Sequence, residues 1–208
     1  MTSIDTEVEL RTHYRDAGEG VRRKQIDHID DGARAFLAAT TLAVVATFGP
    51  DGADNSPRGG PPGFLRVLDD GRIAFGDLSG NNRLDTYTNL TGHPDVGMLC
   101  IIPGLEETLR INGTASVTTD PAVLDATAVG DRVPKVAVVV DVAECYIHCA
   151  KALRRAGIWD PDSWPSEVDR PSPAEILVKH LDIDIEPAVV EADLEAGYEA
   201  SLWERGGE

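Results

Sequence analysis

Two short stretches of this chain concentrate the side chains best suited to holding an anion. "NSPRGGPPGF" (residues 55–64) sets a lone Arg58 after Pro57 and before Gly59 and Gly60, in a chain with 36 acidic and 19 basic residues. Glycines beside it would let the backbone approach a ligand closely. "GDLSGNNRLDT" (residues 76–86) places the Ser79 hydroxyl, the Asn81 and Asn82 amides and the Arg83 guanidinium at the expected first turn of a helix. Unpaired N–H groups at that turn would point at the same spot, and together these donors make a phosphate pocket. The same residues also read as a helix cap, from Ser79 or Asn81, with Arg83 paired to a surface carboxylate and Arg58 an ordinary turn residue. Local chemistry leaves both readings open.

Other chemistry is sparse. The sequence has no G-x-G-x-x-G, Walker loop, G-x-S-x-G or H-E-x-x-H. Cys145 and Cys149 flank His148, but a strand would turn His148 away from them, so no metal is expected. Small buried thiols are the expected state of Cys100, Cys145 and Cys149. The chain is expected to switch from strand to helix near Tyr146. His148 would then cap the junction while Lys151 points back toward a cleft, and Trp159 would flank a planar ligand. For all three the structural alternatives are a satisfied histidine, a snorkelling lysine and a core tryptophan. No residue identifies itself as a general base.

The bulk composition narrows the partners. A net charge of −17 excludes nucleic acid and anionic membrane as general partners. An anionic ligand must therefore be met by a local cluster of cations. No apolar run reaches the roughly 18 residues of a membrane span. With no export signal, the cysteines suggest free thiols and a cytoplasmic setting.

The elements that must position these residues follow from periodicity. "IDHIDDGARAFLAAT" predicts a helix over about 28–38. "TLAVVATFG" predicts a strand ended by an Asp51-Gly52 turn, and "GFLRVLDDGRIAFGD" a hairpin. "VGMLCIIPG", "ETLRINGTASVTT" and "KVAVVVDVAECYIHC" predict three more strands, the last the longest. About six strands result. Short helices are expected in "NNRLDTYTNLTGHP", "DPAVLDATAVGD" and "HCAKALRRAGIW". Residues 1–25 read as an arm, 26–175 as the main domain and 176–208 as an acidic C-terminal helix and tail packed by Val190, Leu194 and Leu202. The fold class is mainly β (α+β), a small barrel with short flanking helices.

The run "LAVVATFGPDGADNSPRGGPPGFLRVLDDGRIAFGDLSGNNRLDTYTNLTGHPDVGMLCIIPGLEETLRINGTA", with the later "CYIHCAKALRRAGIWDP", resembles the pyridoxamine 5'-phosphate oxidase-related family of FMN-binding proteins. The likeness covers about residues 28–175 and is to an uncharacterised FMN-dependent branch. It implies a split β-barrel homodimer with FMN at the subunit interface. It places Arg58, on the strand after the first hairpin turn, against the flavin phosphate. Ser79, Asn81, Asn82 and Arg83 stand where the familiar enzyme has a compact serine-arginine-lysine run, and also face the phosphate. Backbone around Gly59 and Gly60, or along Phe64, Leu65, Arg66 and Val67, would address the isoalloxazine edge. "ETLRING" resembles the strand reaching the flavin from the partner subunit, with Thr108 in place of the usual glutamine and Arg110 near the pyrimidine end. His148 and Lys151 complete the expected site. The activity implied is oxidation–reduction of a small-molecule substrate by hydride transfer through FMN. Alternatives on the same barrel are an F420-dependent reductase, a heme-binding protein, or a flavin-binding protein without turnover.

Overall fold

The computed structural model describes residues 3–207; Met1, Thr2 and Glu208, the ends of the expected arm and tail, lie outside the described residues. In chain order the elements are α1 (Glu7–Arg11), α2 (Glu19–Arg23), α3 (Asp31–Ala39), β1 (Leu42–Gly49), β2 (Gly52–Gly59), β3 (Arg66–Val67), β4 (Arg72–Gly76), α4 (Asp85–Gly92), β5 (Asp95–Ile101), β6 (Thr108–Thr118), α5 (Pro121–Ala126), β7 (Ala137–His148), α6 (Lys151–Ala156), α7 (Pro173–Leu181) and α8 (Pro187–Ser201). The seven strands form one sheet in the order β2-β1-β5-β6-β7-β4-β3, and every neighbouring pair is antiparallel.

The strands expected from periodicity are present, and so is the strand that the resemblance placed after the first hairpin turn, β2. β2 escapes a hydrophobic count because its sequence, GADNSPRG, is polar and contains proline. It is tolerated because β2 is an edge strand, where a missing N–H costs little. Its pattern still alternates strictly: Asp54, Ser56 and Arg58 are half-buried, while Ala53, Asn55, Pro57 and Gly59 are exposed. One face of β2 is thus a polar face turned inward.

The core is built where the alternation is apolar. Leu37 from α3, Ala43 and Val45 from β1, Ile73 and Phe75 from β4, Met98 from β5, Ile111 from β6, and Val138 and Val140 from β7 join one buried cluster. Burying such side chains contributes roughly 1.5–3 kcal/mol each. α3 starts cleanly because Asp30 caps it, its carboxylate accepting from Ala33 N at 2.7 Å. Burial pushes the Cys100 thiol up to about 12 and the Cys145 thiol up to about 11. Cys149 departs from the buried thiol expected of it: it follows the end of β7 and is exposed.

Two further expectations are corrected. β7 does not end near Tyr146; it runs to His148, because Tyr146 and His148 still pair with Arg110 and Thr108 of β6. α8 packs against α7, and Val190 and Leu194 are half-buried. Leu202, however, lies beyond the helix end and is 59% exposed. Among the described residues no helix is long and apolar enough to cross a membrane.

The β6–β7 ladder carries a register irregularity at Asn112/Gly113, where Asn112 faces Glu144 and Gly113 faces Val142. A Cβ on Gly113 would lie 2.0 Å from the Asp141 carbonyl oxygen. Backbone in the middle of a sheet cannot withdraw from such a clash. Gly113→Ala is expected to destabilise the fold by about 2 kcal/mol or more, lowering Tm by roughly 4–8 °C. A thermal melt indistinguishable from wild type would contradict this account of the bulge.

Candidate functional site

The inward polar face of β2 meets the first turn of α4, and this junction positions Arg58. Its two terminal nitrogens are engaged, one donating to the Pro57 carbonyl at 2.8 Å and the other to Thr86 Oγ1 at 2.9 Å. Thr86 is buried and directs its own hydroxyl toward Asp54 Oδ2 at 3.5 Å, and Ser56 donates to the same oxygen at 3.1 Å. The guanidinium lies 5.7 Å from the centre of the Tyr87 ring, a cation–π arrangement. Its Nε is buried and has no hydrogen-bond partner. A charged donor stripped of water without an acceptor costs more than ~1–3 kcal/mol.

The opposite wall is the segment from Asp77 to Leu84. Asn82 and Leu84 both adopt left-handed backbone, with φ of 56° and 60°. Asparagine tolerates this; Leu84 does so at a cost of about 1–2 kcal/mol. Leu84 is also the residue before α4, and no side chain caps the helix there. Arg83 therefore precedes the helix instead of standing in its first turn. Its backbone N–H donates to Asn81 Oδ1 at 3.1 Å, and its Nε to Asp85 Oδ2 at 2.8 Å. The terminal guanidinium nitrogens carry no hydrogen bond among the described residues, and neither does the Ser79 hydroxyl. Both readings of this loop are thus partly realised: Arg83 is paired with a carboxylate, and donors remain over.

Tyr87 and Asp77 link the two walls, the Tyr87 hydroxyl donating to Asp77 Oδ1 at 2.5 Å. Burial, and then the adjacent Asp77 carboxylate, push the Tyr87 phenol well above its ordinary range. It is a fixed donor to Asp77.

These walls enclose a cavity of about 600 Å³. Of the residues singled out from sequence, Arg58, Gly59, Gly60, Phe64, Ser79, Asn81, Asn82 and Arg83 line it together. The role expected of Gly60 changes, however. Its N–H is spent on the Thr41 carbonyl at 3.0 Å, and a Cβ there would lie 2.6 Å from Phe64 Cβ. Gly60 makes room for Phe64, and its amide is not available to a ring edge. Leu65, Arg66 and Val67 do not line the cavity: Leu65 is 2% exposed within the core and Val67 packs against it, while Arg66 sits on β3 opposite Ala74.

Thr108, Arg110, His148 and Lys151 lie elsewhere. Thr108 and His148 face each other across β6–β7, two residues along from Arg110 and Tyr146, so all four share one face of the sheet. Arg110 and the Lys24 ammonium both approach the Tyr146 ring, at 5.7 and 5.3 Å. His148 caps no helix: it belongs to β7, α6 has no side-chain cap, and its buried Nδ1 lacks a partner. Lys151 is exposed on α6 and does not line the cavity. Trp159 gives its indole N–H to the Leu105 carbonyl at 2.9 Å, a structural role. Among the described residues no cluster of histidine, cysteine and carboxylate groups suits a metal.

Sequence reasoning missed Asp77, Thr86 and Tyr87, and also Leu202, Trp203 and Gly206, which line the cavity from beyond α8. The "DTY" start of α4 carries a faint signal, since a buried threonine beside a tyrosine invites polar partners. Nothing local marks the residues after α8.

The model of the pyridoxamine 5'-phosphate oxidase family matches residues 29–149, and the chain belongs to that family. The sheet and its flanking helices are the split β-barrel of that family. Among solved structures, a HupZ variant from Group A Streptococcus is 19% identical, over 58% of this chain and 99% of that one, with a TM-score of 0.47. General Stress Protein 26 of Bacillus anthracis is 13% identical over 55% and 88%, with a TM-score of 0.42. A protein described as an F420 reductase is 18% identical over 58% and 98%, with a TM-score of 0.40. No curated protein matches the chain significantly.

The Tyr87–Asp77 pair makes a spectroscopic prediction. Tyr87 is one of four tyrosines, and its phenol is expected to stay protonated while pH passes the ordinary value of 10.0. The unfolded chain loses that proton first, so this contribution to stability is intact below pH 10.0 and declines as pH rises above it. An ultraviolet phenolate titration should show one late-ionising tyrosine, absent in Tyr87→Phe. Four tyrosines titrating together near the ordinary value would refute it.

Proposed function

We propose that this chain binds FMN, with its phosphate between Arg58 and the loop carrying Ser79, Asn81, Asn82 and Arg83, and acts on a small-molecule substrate as an oxidoreductase. The observation that carries the reading is that one cavity gathers Arg58 with the unengaged Ser79 hydroxyl and Arg83 terminal nitrogens. A phosphate supplies acceptors for all of these donors. When bound, FMN would supply hydride acceptance and donation. The chain's own task is to fix it: Arg58 neutralises charge from a rigid strand, Ser79 and Asn82 set orientation, and Tyr87 keeps Asp77 from competing for the guanidinium.

The second set of residues supports a homodimer. Thr108, Arg110 and His148 share one sheet face, away from the cavity lining, and the unpartnered Nδ1 of His148 is the other buried orphan among the described residues. A ligand held by one subunit would then be approached by the β6–β7 face of its partner.

Loss of a donor from each group is measurable by flavin-fluorescence titration. Arg58→Ala is expected to weaken FMN binding by about 30-fold (~2 kcal/mol), as for a desolvated charge-assisted hydrogen bond. Arg83→Ala should cost only several-fold, because Arg83 is solvent-exposed and already paired with Asp85. Equal affinity of Arg58→Ala and wild type would sink the assignment. Light scattering should give twice the chain mass for the flavin-bound protein; a monomer that keeps its flavin would remove the shared site.

A further inference from the structure

Residues 202–207 leave α8 and lie back across the anion-binding loop. Ser79 N donates to the Glu204 carbonyl at 2.8 Å, Leu78 and Arg205 form an antiparallel bridge, and Gly206 N reaches the Asp77 carbonyl at 3.5 Å. Lys135 Nζ fastens the far end through the Gly207 carbonyl at 2.8 Å. The fit leaves no slack: Gly206 is buried, and a Cβ there would lie 1.6 Å from Asp77 Oδ2. Leu202 and Trp203 are carried into the cavity wall by this pairing. The Trp203 indole N–H has no hydrogen-bond partner among the described residues.

We infer that this strap is a selectivity wall: it closes the site beyond the phosphate, so that the site takes a ligand ending in a phosphate monoester and turns away the same ring carrying a longer anionic extension. The excluded class comprises flavin dinucleotides and deazaflavins whose phosphate is a diester bearing an acidic tail. This rests on the FMN reading and goes beyond it by stating where the ligand must end. Three features enforce the limit. The backbone from Glu204 to Gly206 already occupies the space against residues 77–79. Among the described residues, Arg58 and Arg83 are the cations that line the cavity, while Asp77 and Asp85 line it as well. An anionic tail would also lie against the Leu202 side chain and the Trp203 ring, with the indole N–H as the sole neutral side-chain donor of that pair.

The test compares FMN, FAD and F420 as ligands of the intact chain, of Gly206→Ala, and of a chain stopped after Ser201, each checked for folding by circular dichroism. The intact chain should bind FMN at least about tenfold more tightly than FAD or F420. Both variants should narrow that ratio to within about threefold, chiefly by gaining affinity for the longer ligands. Gly206→Ala keeps every other residue of the site, so it decides the matter if the shortened chain does not fold. An intact chain that binds FMN but takes FAD or F420 equally well, or variants that leave the ratio unchanged, would overturn the inference while leaving the FMN reading in place. An intact chain that binds none of the three would overturn both.

Discussion

A guanidinium nitrogen held out of water with no acceptor is unfavourable by more than ~1–3 kcal/mol, and the structure around Arg58 exists to keep it there. The polar inner face of β2, the buried Thr86, and the Tyr87 ring against the guanidinium are each unfavourable or neutral as pure packing. Together they fix one side chain at the rim of the cavity. The rest of the sheet is conventional by comparison, an apolar core whose alternation follows strand by strand. Its function is to supply a rigid edge on which that arrangement can be carried.

The electrostatics of the site run against those of the whole chain. A net charge of −17 repels an anionic ligand up to the ~8–10 Å beyond which salt screens it. Attraction of such a ligand would therefore be short-ranged, from Arg58 within the wall and the exposed Arg83 at the mouth. Pairing Asp85 with Arg83 and Asp77 with Tyr87 lowers the repulsion from carboxylates that share the cavity. The affinity then depends on geometry more than on the field of the protein.

Legibility in the sequence followed the range of the interactions. β1 and β4–β7 were readable because apolar alternation is local, and the β3–β4 turn because Asp70-Gly71 carries its own turn chemistry. β2 was hidden from periodicity, though not from the family resemblance, by a polar inward face with a proline opposite. Arg58, Ser79 and Arg83 were found from side-chain chemistry, since few cations are spent in this chain. His148 was misplaced by assuming that β7 stops at Tyr146, when pairing with Thr108 carries it further. The contact of Gly206 with Asp77 joins distant parts of the chain through backbone atoms, and backbone pairing leaves no trace in residue type.

Pro57 has a consequence for the protein in company with copies of itself. A site that must stay open along β2 leaves a sheet edge exposed, and such edges recruit further strands into open-ended stacks. Proline interrupts the row of donors that such growth requires, while the alternation turns its ring outward and Arg58 inward. One residue thus keeps the mouth of the cavity accessible to ligands and poorly suited to linear polymerisation.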